Sequence, residues 1–350
     1  MHFSFELQAL LAPSSSIQNE LSSIVQTCSI MNSTREPVLE LGAMAFYLGI
    51  DGGGTKTRCV LGDENKVLAT AVAGGSNVVR LGETQARESF HEVVTRACEI
   101  AQVSPQQIRS ICVGASGAAR PEIAAKVRAI LVDLTSPRTH LDVVGDNVIA
   151  LEAAFGSGPG VIAISGTGSV AFGRDASGSI ARAGGWGFAI SDEGSGQWIG
   201  RHAVSEVFRS RDNGEETLLA SLILEAWKLS DLDALVQQAN STPPPEFQRL
   251  FPIVLQAAVA GDPAARKLLN QAGRELAALA AVVLRRIAPG PPHVPLATTG
   301  SVFRQSAEVC RIFYNQLKTD FPEIVFHEDF IDPVMGALAL ARAEGRSKAL

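Results

Sequence analysis

The chain has 350 residues, 46% of them hydrophobic and 19% charged, with a formal net charge of −6. That composition supplies one large core or two ordinary ones and excludes a disordered chain. The acidic balance and an aromatic content of 6% argue against nucleic acid as partner, since that needs a basic surface or stacking rings.

Residues 1–44 are serine-rich and weakly patterned. They read as a dispensable extension, with Met44 as the candidate start; a helix around Glu20–Cys28 is the competing reading. Strong patterning begins at Phe46. "FYLGI", "TRCVLG" and "VLATAVA" are short apolar or β-branched runs split by turn residues, which predicts three strands. "ETQARESFHEVVTRACEIAQ" has helical spacing, "IRSICVGASG" reads as a buried strand, and "PEIAAKVRAILVDL" as a helix with proline in its first turn. "HLDVVGDNVIALEAAFG" is a strand running into a helix. Strands alternating with helices predict an α/β fold with a largely parallel sheet.

The opening then repeats. "LGIDGGGTKTRCVLGDENKVLATA" and "IAISGTGSVAFGRDASGSIARA" share one grammar: apolar strand, glycine–threonine turn, second strand, Asp-containing turn, third strand. Two domains on one plan are expected, at 45–157 and 158–333, with a cleft between their hairpins. After Gly200 the chain reads as mostly helical, through "DPAARKLLNQAGRELAALAAVVLRRI", so the second domain is enriched in helices. "PHVPLATTGSVF" returns to a strand, and 334–350 forms a small-residue helix packing back on the first domain. No apolar run reaches the roughly 18 residues that span a bilayer. Cys28, Cys59, Cys98, Cys112 and Cys310 form no CxxC-like pair, so they read as reduced thiols of a cytoplasmic protein rather than metal ligands.

Glycine permits positive φ and close backbone approach, and successive N–H groups in such turns form anion-binding nests. "GGGTKT" therefore reads as a phosphate loop, with Gly53, Gly54, Thr55 and Lys56 as donors. Asp51 beside it would repel a polyphosphate unless a cation lay between them, so it reads as a Mg²⁺ anchor acting through water. Gly166, Thr167, Gly168 and Ser169 form the second loop. The P-loop and Rossmann spacings fail here, because a strand rather than a helix follows the glycines.

The motifs "GIDGGGTKT", "GGSNVVR", "VVGDNVIAL", "ISGTGSVAFG", "GGWGFAISDEGSGQWIG", "TTGSVF" and "DPVMGALALA" resemble the BadF/BadG/BcrA/BcrD-type family, within the sugar-kinase/heat-shock-70/actin superfamily. The N-acetylglucosamine kinases in it are most similar. The resemblance implies two actin-like, ribonuclease H-like domains. It also implies ATP-dependent phosphorylation of an amino sugar at its 6-hydroxyl, with N-acetylglucosamine the first choice and glucosamine and N-acetylmuramic acid the alternatives. Asp146 matches the base that accepts the hydroxyl proton; helix capping is its alternative reading. Asn77, Thr167, Gly185, Trp186 and Asp192 match sugar-binding positions, with Thr167 between sugar and ATP. Gly300 and Ser301 match the adenosine-binding turn. Glu193 reads as structural, and Asp332 as a helix cap. A homodimer is the common default for such a chain. A non-catalytic sugar or nucleotide sensor and a partner-driving ATPase are the competing classes.

Overall fold

The computed structural model describes residues 45–287, 294–327, 329 and 331–347. The expectations for residues 1–44, Met44 and Cys28 included, lie outside these. β1 (Phe46–Gly52), β2 (Lys56–Gly62) and β3 (Val67–Gly74) form an antiparallel meander. β4 (Ile108–Ala115) pairs parallel to β1 on its other side, and β5 (His140–Gly145) pairs parallel to β4. The sheet order is thus β3-β2-β1-β4-β5. Between β3 and β5 run α1 (Val78–Leu81), α2 (Glu83–Ala101) and α3 (Pro121–Val132).

The alternation along β1 decides what covers each face. Leu48 and Ile50 join Phe90, Val93, Val94 and Ala97 of α2 in one core cluster. Tyr47 joins Ile149, Val334, Ala337 and Leu338 in another, so a different pair of helices covers the opposite face. These are α4 (Asp146–Phe155) and the last described helix, α12 (Pro333–Ser347). Both approach unusually closely. A methyl group on Gly49 of β1 would stand 2.8 Å from the carbonyl of Val334 and 2.9 Å from that of Ala337. One on Gly336 would stand 2.6 Å from the backbone nitrogen of Ala153 in α4. Only residues without a side chain fit there.

α4 leads into a second sheet of the same design. β6 (Gly160–Ser165), β7 (Ser169–Arg174) and β8 (Ile180–Gly184) form a meander, and β9 (Leu296–Thr299) pairs parallel to β6. The order β8-β7-β6-β9 repeats that of the first sheet without its last strand. Between β8 and β9 lie α5 (Gly196–Asp212), α6 (Leu218–Trp227), α7 (Leu232–Ala239), α8 (Phe251–Val259) and α9 (Pro263–Ile287). Along α9, Leu268, Leu269, Ala272, Leu276, Ala280 and Leu284 are buried in the core of this half. α10 (Ser301–Gln305) and α11 (Ala307–Asp320) follow β9.

Two helix starts are set by local chemistry. α5 starts at Gly196, inside the glycine-rich motif, because the Ser195 hydroxyl accepts the Trp198 N–H at 3.1 Å and caps it. α8 is preceded by a separate 3₁₀ turn at Phe247–Leu250, since Pro252 suits the first turn of a new helix. No helix among the described residues is long and apolar enough to cross a membrane.

Candidate active site

Each sheet turns its first strand into its second through three residues, Gly53–Thr55 and Gly166–Gly168. The first turn is closed by the Gly53 N–H donating to the Lys56 carbonyl at 3.1 Å, and is held from below by Ser76 and Ser116. Their N–H groups donate to the carbonyls of Gly53 (3.0 Å) and Gly52 (3.1 Å). The second turn is closed by the Gly166 N–H donating to Gly168 O at 2.9 Å. The start of α5 supports it, with Gly196 N–H on Gly166 O (2.8 Å) and Gln197 N–H on Thr167 O (3.3 Å). These bonds engage the carbonyls. The N–H groups of Gly54, Thr55, Thr167 and Gly168 make no hydrogen bond among the described residues, which leaves a row of donors on each turn. The turns face one another, with the hydroxyls of Thr55 and Thr167 2.9 Å apart.

Two carboxylates lie beside the first turn. Asp51 is the penultimate residue of β1, and Asp146 is the first residue of α4, with Gly145 as cap. The Asp146 carboxylate accepts from the Ser116 hydroxyl at 2.8 Å and from the Asn147 N–H at 3.0 Å. Ser116 thus binds the glycine turn with its backbone and Asp146 with its side chain. Burial pushes the Asp51 carboxyl up to about 6, with the Asp146 charge as the next cause and Asp332 adding to it; Arg58 and Lys56 pull the other way. Asp332 stands at the cap position of α12, with the Met335 N–H on its carbonyl at 3.0 Å, and its side chain gives both carboxylate oxygens to the Arg58 guanidinium, at 2.9 Å for Nη2 to Oδ2. That pair joins β2 to the segment that leads into α12.

Asn77 caps α1, its amide oxygen accepting from Val79 N–H (3.0 Å) and Arg80 N–H (3.1 Å). Its amide NH₂ remains the group that can meet a ligand. Asp192 is buried with φ of 71°, a left-handed conformation that Asp tolerates better than most residues. Its Oδ1 accepts from the Ser169 N–H at 3.3 Å, which places the carboxylate against the second turn. Burial raises its pKa, and the Glu193 charge adds to this, while the Ser169 bond and Arg182 oppose it. Glu193 accepts from Ser191 Oγ at 3.0 Å, a local contact in keeping with a structural role.

Gly184, Gly185 and Gly187 all have positive φ, so the loop between β8 and Asp192 follows a path closed to other residues. It holds Trp186 outward, 64% exposed, with the Arg182 guanidinium 4.4 Å above its ring. Arg182 also donates to the carbonyls of Gly184 and Gly185. Trp186 is therefore no core tryptophan. Gly300 has φ of 109°, and its α-carbon lies so close to the backbone of Ser165 that a methyl group would meet the Ser165 nitrogen at 3.0 Å. The Ser301 hydroxyl lies near Gly166, so "TTGSVF" adjoins the second turn. Ser116, Arg58 and Gln197 also belong to this constellation; the signals for them are the place of Gln197 inside "GGWGFAISDEGSGQWIG", that of Arg58 directly after "GGGTKT", and that of Ser116 directly after the end of a buried strand.

A family profile for the BadF/BadG/BcrA/BcrD ATPases matches residues 48–341, every element of both sheets. The chain belongs to this family. Among characterised members, a Clostridium acetobutylicum N-acetylmuramic acid/N-acetylglucosamine kinase is 31% identical over 308 residues, covering 86% of this chain and 99% of the relative. A Dictyostelium discoideum N-acetyl-D-glucosamine kinase is 28% identical, covering 85% of this chain and 97% of the relative. A crystal structure from Chromobacterium violaceum, named as a candidate N-acetylglucosamine kinase, superposes with a TM-score of 0.70 at 28% identity. It covers 85% of this chain and 99% of that one. The actin-like sugar-kinase fold of this BadF/BadG/BcrA/BcrD member follows from these matches.

Proposed function

We propose that the protein is an ATP-dependent amino-sugar kinase, phosphorylating the 6-hydroxyl of N-acetylglucosamine. The observation that carries this reading is the juxtaposition of two donor-lined glycine–threonine turns with a pair of carboxylates, joined by Ser116. Phosphoryl transfer depends mainly on positioning and charge neutralisation, and this arrangement supplies both. Residues 45–157 and 158–333 act as the two lobes, with the tail from 334 returning to the first.

In this reading Asp146 accepts the proton of the attacking hydroxyl, and Ser116 orients its carboxylate. Gly53, Gly54, Thr55 and Lys56 hold one side of the polyphosphate, and Gly166, Thr167, Gly168 and Ser169 the other. Gly300 and Ser301 pack against the adenosine. Asn77, Gly185, Trp186 and Asp192 bind the sugar: Asn77 through its amide NH₂, Asp192 by accepting from ring hydroxyls, Trp186 as an apolar cover.

The donor set also fits Mg²⁺. Asp51 and Asp146 offer only oxygen, and no cluster of three or more His, Cys, Asp or Glu suited to a metal occurs among the described residues. A hard cation that keeps its waters and takes phosphate oxygens suits such a site; a cage-bound metal does not. When bound, Mg²⁺ neutralises phosphate charge beside Asp51. The four described cysteines are all free, and the proposed location of such a kinase is the cytoplasm.

The test is product identification. Incubated with ATP, Mg²⁺ and N-acetylglucosamine, the protein should yield a phosphomonoester whose phosphorus couples to the C6 protons in nuclear magnetic resonance. A phosphate on another carbon, or inorganic phosphate alone, would refute the assignment.

A further inference from the structure

Arg80 and Glu246 belong to opposite halves of the molecule and meet across the mouth of the cleft, Nη2 to Oε1 at 3.1 Å. Arg80 lies one turn beyond Asn77 in α1, and a methyl group on Gly54 would stand 3.4 Å from its Nη1, so the guanidinium lies against the first glycine turn. Glu246 follows Pro243, Pro244 and Pro245, whose fixed φ angles limit where it can swing. It also accepts from Gln248 Nε2 at 3.3 Å and Arg249 Nη2 at 2.6 Å. Gln248 is fixed in turn, its N–H donating to the buried Gln197 side chain at 3.1 Å. Gln197 donates its own N–H to the Thr167 carbonyl at 3.3 Å. With the Thr55–Thr167 hydroxyl contact at 2.9 Å, the contacts close a ring. It runs from Gly54 through Arg80, Glu246, Gln248 and Gln197 to Thr167, and back through Thr55.

We propose that the Arg80–Glu246 pair is a positioning clasp that sets the spacing of the two phosphate-facing turns in the closed enzyme. The inference rests on the kinase reading above. Its physical case is position: the pair links α1, which carries Arg80 against Gly54 of the first turn, to the segment that reaches the second turn through Gln248 and Gln197. Each pair member is more than a third exposed, so its effect is modest and screened by salt. It acts through Gly54 and Gln197 rather than on the reacting atoms.

The test uses the full chain with Arg80→Glu, Glu246→Arg and the double reversal. Each single reversal should lower kcat about three- to fivefold, the factor expected for an exposed pair, with KM for the sugar changed less than about twofold. The double reversal should recover most of the loss, which a general folding defect would not do. Small-angle scattering should show a larger radius of gyration for each single variant and the wild-type value for the double. Unchanged kcat and unchanged radius in the single variants would overturn the clasp. So would a loss that the double reversal deepens. If the wild-type chain turns over no sugar, the kinase reading falls, and scattering alone decides the clasp.

Discussion

Asp51 holds its carboxyl near 6 because folding removes it from water and sets it beside Asp146. Its folded pKa lies above the unfolded value of about 3.9, so the folded metal-free chain binds the extra proton. Stability therefore falls as pH rises from about 4 to 6, and the penalty is fully present above that. Asp51→Asn cannot ionise. We expect it to stabilise the metal-free protein by about 1–2 kcal/mol at pH 7.5, with the gain fading below pH 4 in denaturant titrations. A variant no more stable than the wild type at pH 7.5 would mean that the Asp51 charge is not strained. Trp186 makes a separate residue-scale prediction. An exposed indole covered by sugar should change its emission, and Trp186→Phe should abolish a change that Trp198 and Trp227 leave in place only if they report it themselves. A full-sized emission change in the variant would remove Trp186 from the sugar site.

At the scale of elements, α12 depends on Gly49 and Gly336, where backbone meets backbone. Gly336→Val must push its side chain into α4 at Ala153, and we expect a loss of roughly 2–4 kcal/mol in urea unfolding. A near-neutral variant would show that the helix has room to shift. The small residues that permit this packing are visible in "DPVMGALALA", and both hairpins are visible in the repeated strand–glycine–threonine grammar. Local chemistry drives those features, so one sequence suffices to see them. Other features need the fold. Asp332 reads as a cap, and only the fold shows that β2 brings Arg58 to its side chain. Asn77 reads as a ligand donor or a turn residue, and the structure uses its oxygen as a cap while leaving its NH₂ group. The contacts of Ser116, Gln197 and Glu246 are not visible in the sequence, because their partners lie 30 to 166 residues away. α11 carries no motif.

The whole molecule presents two copies of one sheet plan whose turns face each other, and that geometry favours closure around a bound ligand. A kinase that closes excludes water from the phosphate and limits wasteful hydrolysis. Adding sugar together with a non-hydrolysable nucleotide should reduce the radius of gyration of the wild-type chain in solution scattering. An unchanged radius would count against closure as the source of that protection. We propose that this family member spends ATP on an amino sugar with Asp146 as base. The most direct measurement is coupled ADP release with Mg-ATP against glucose, glucosamine, N-acetylglucosamine and N-acetylmuramic acid, with Asp146→Asn in parallel. Turnover with N-acetylglucosamine is expected, lowered by a factor of roughly 10² to 10⁴ in the variant while its thermal unfolding stays close to wild type. ADP release that ignores every sugar, or an Asp146→Asn enzyme as fast as the wild type, would contradict it.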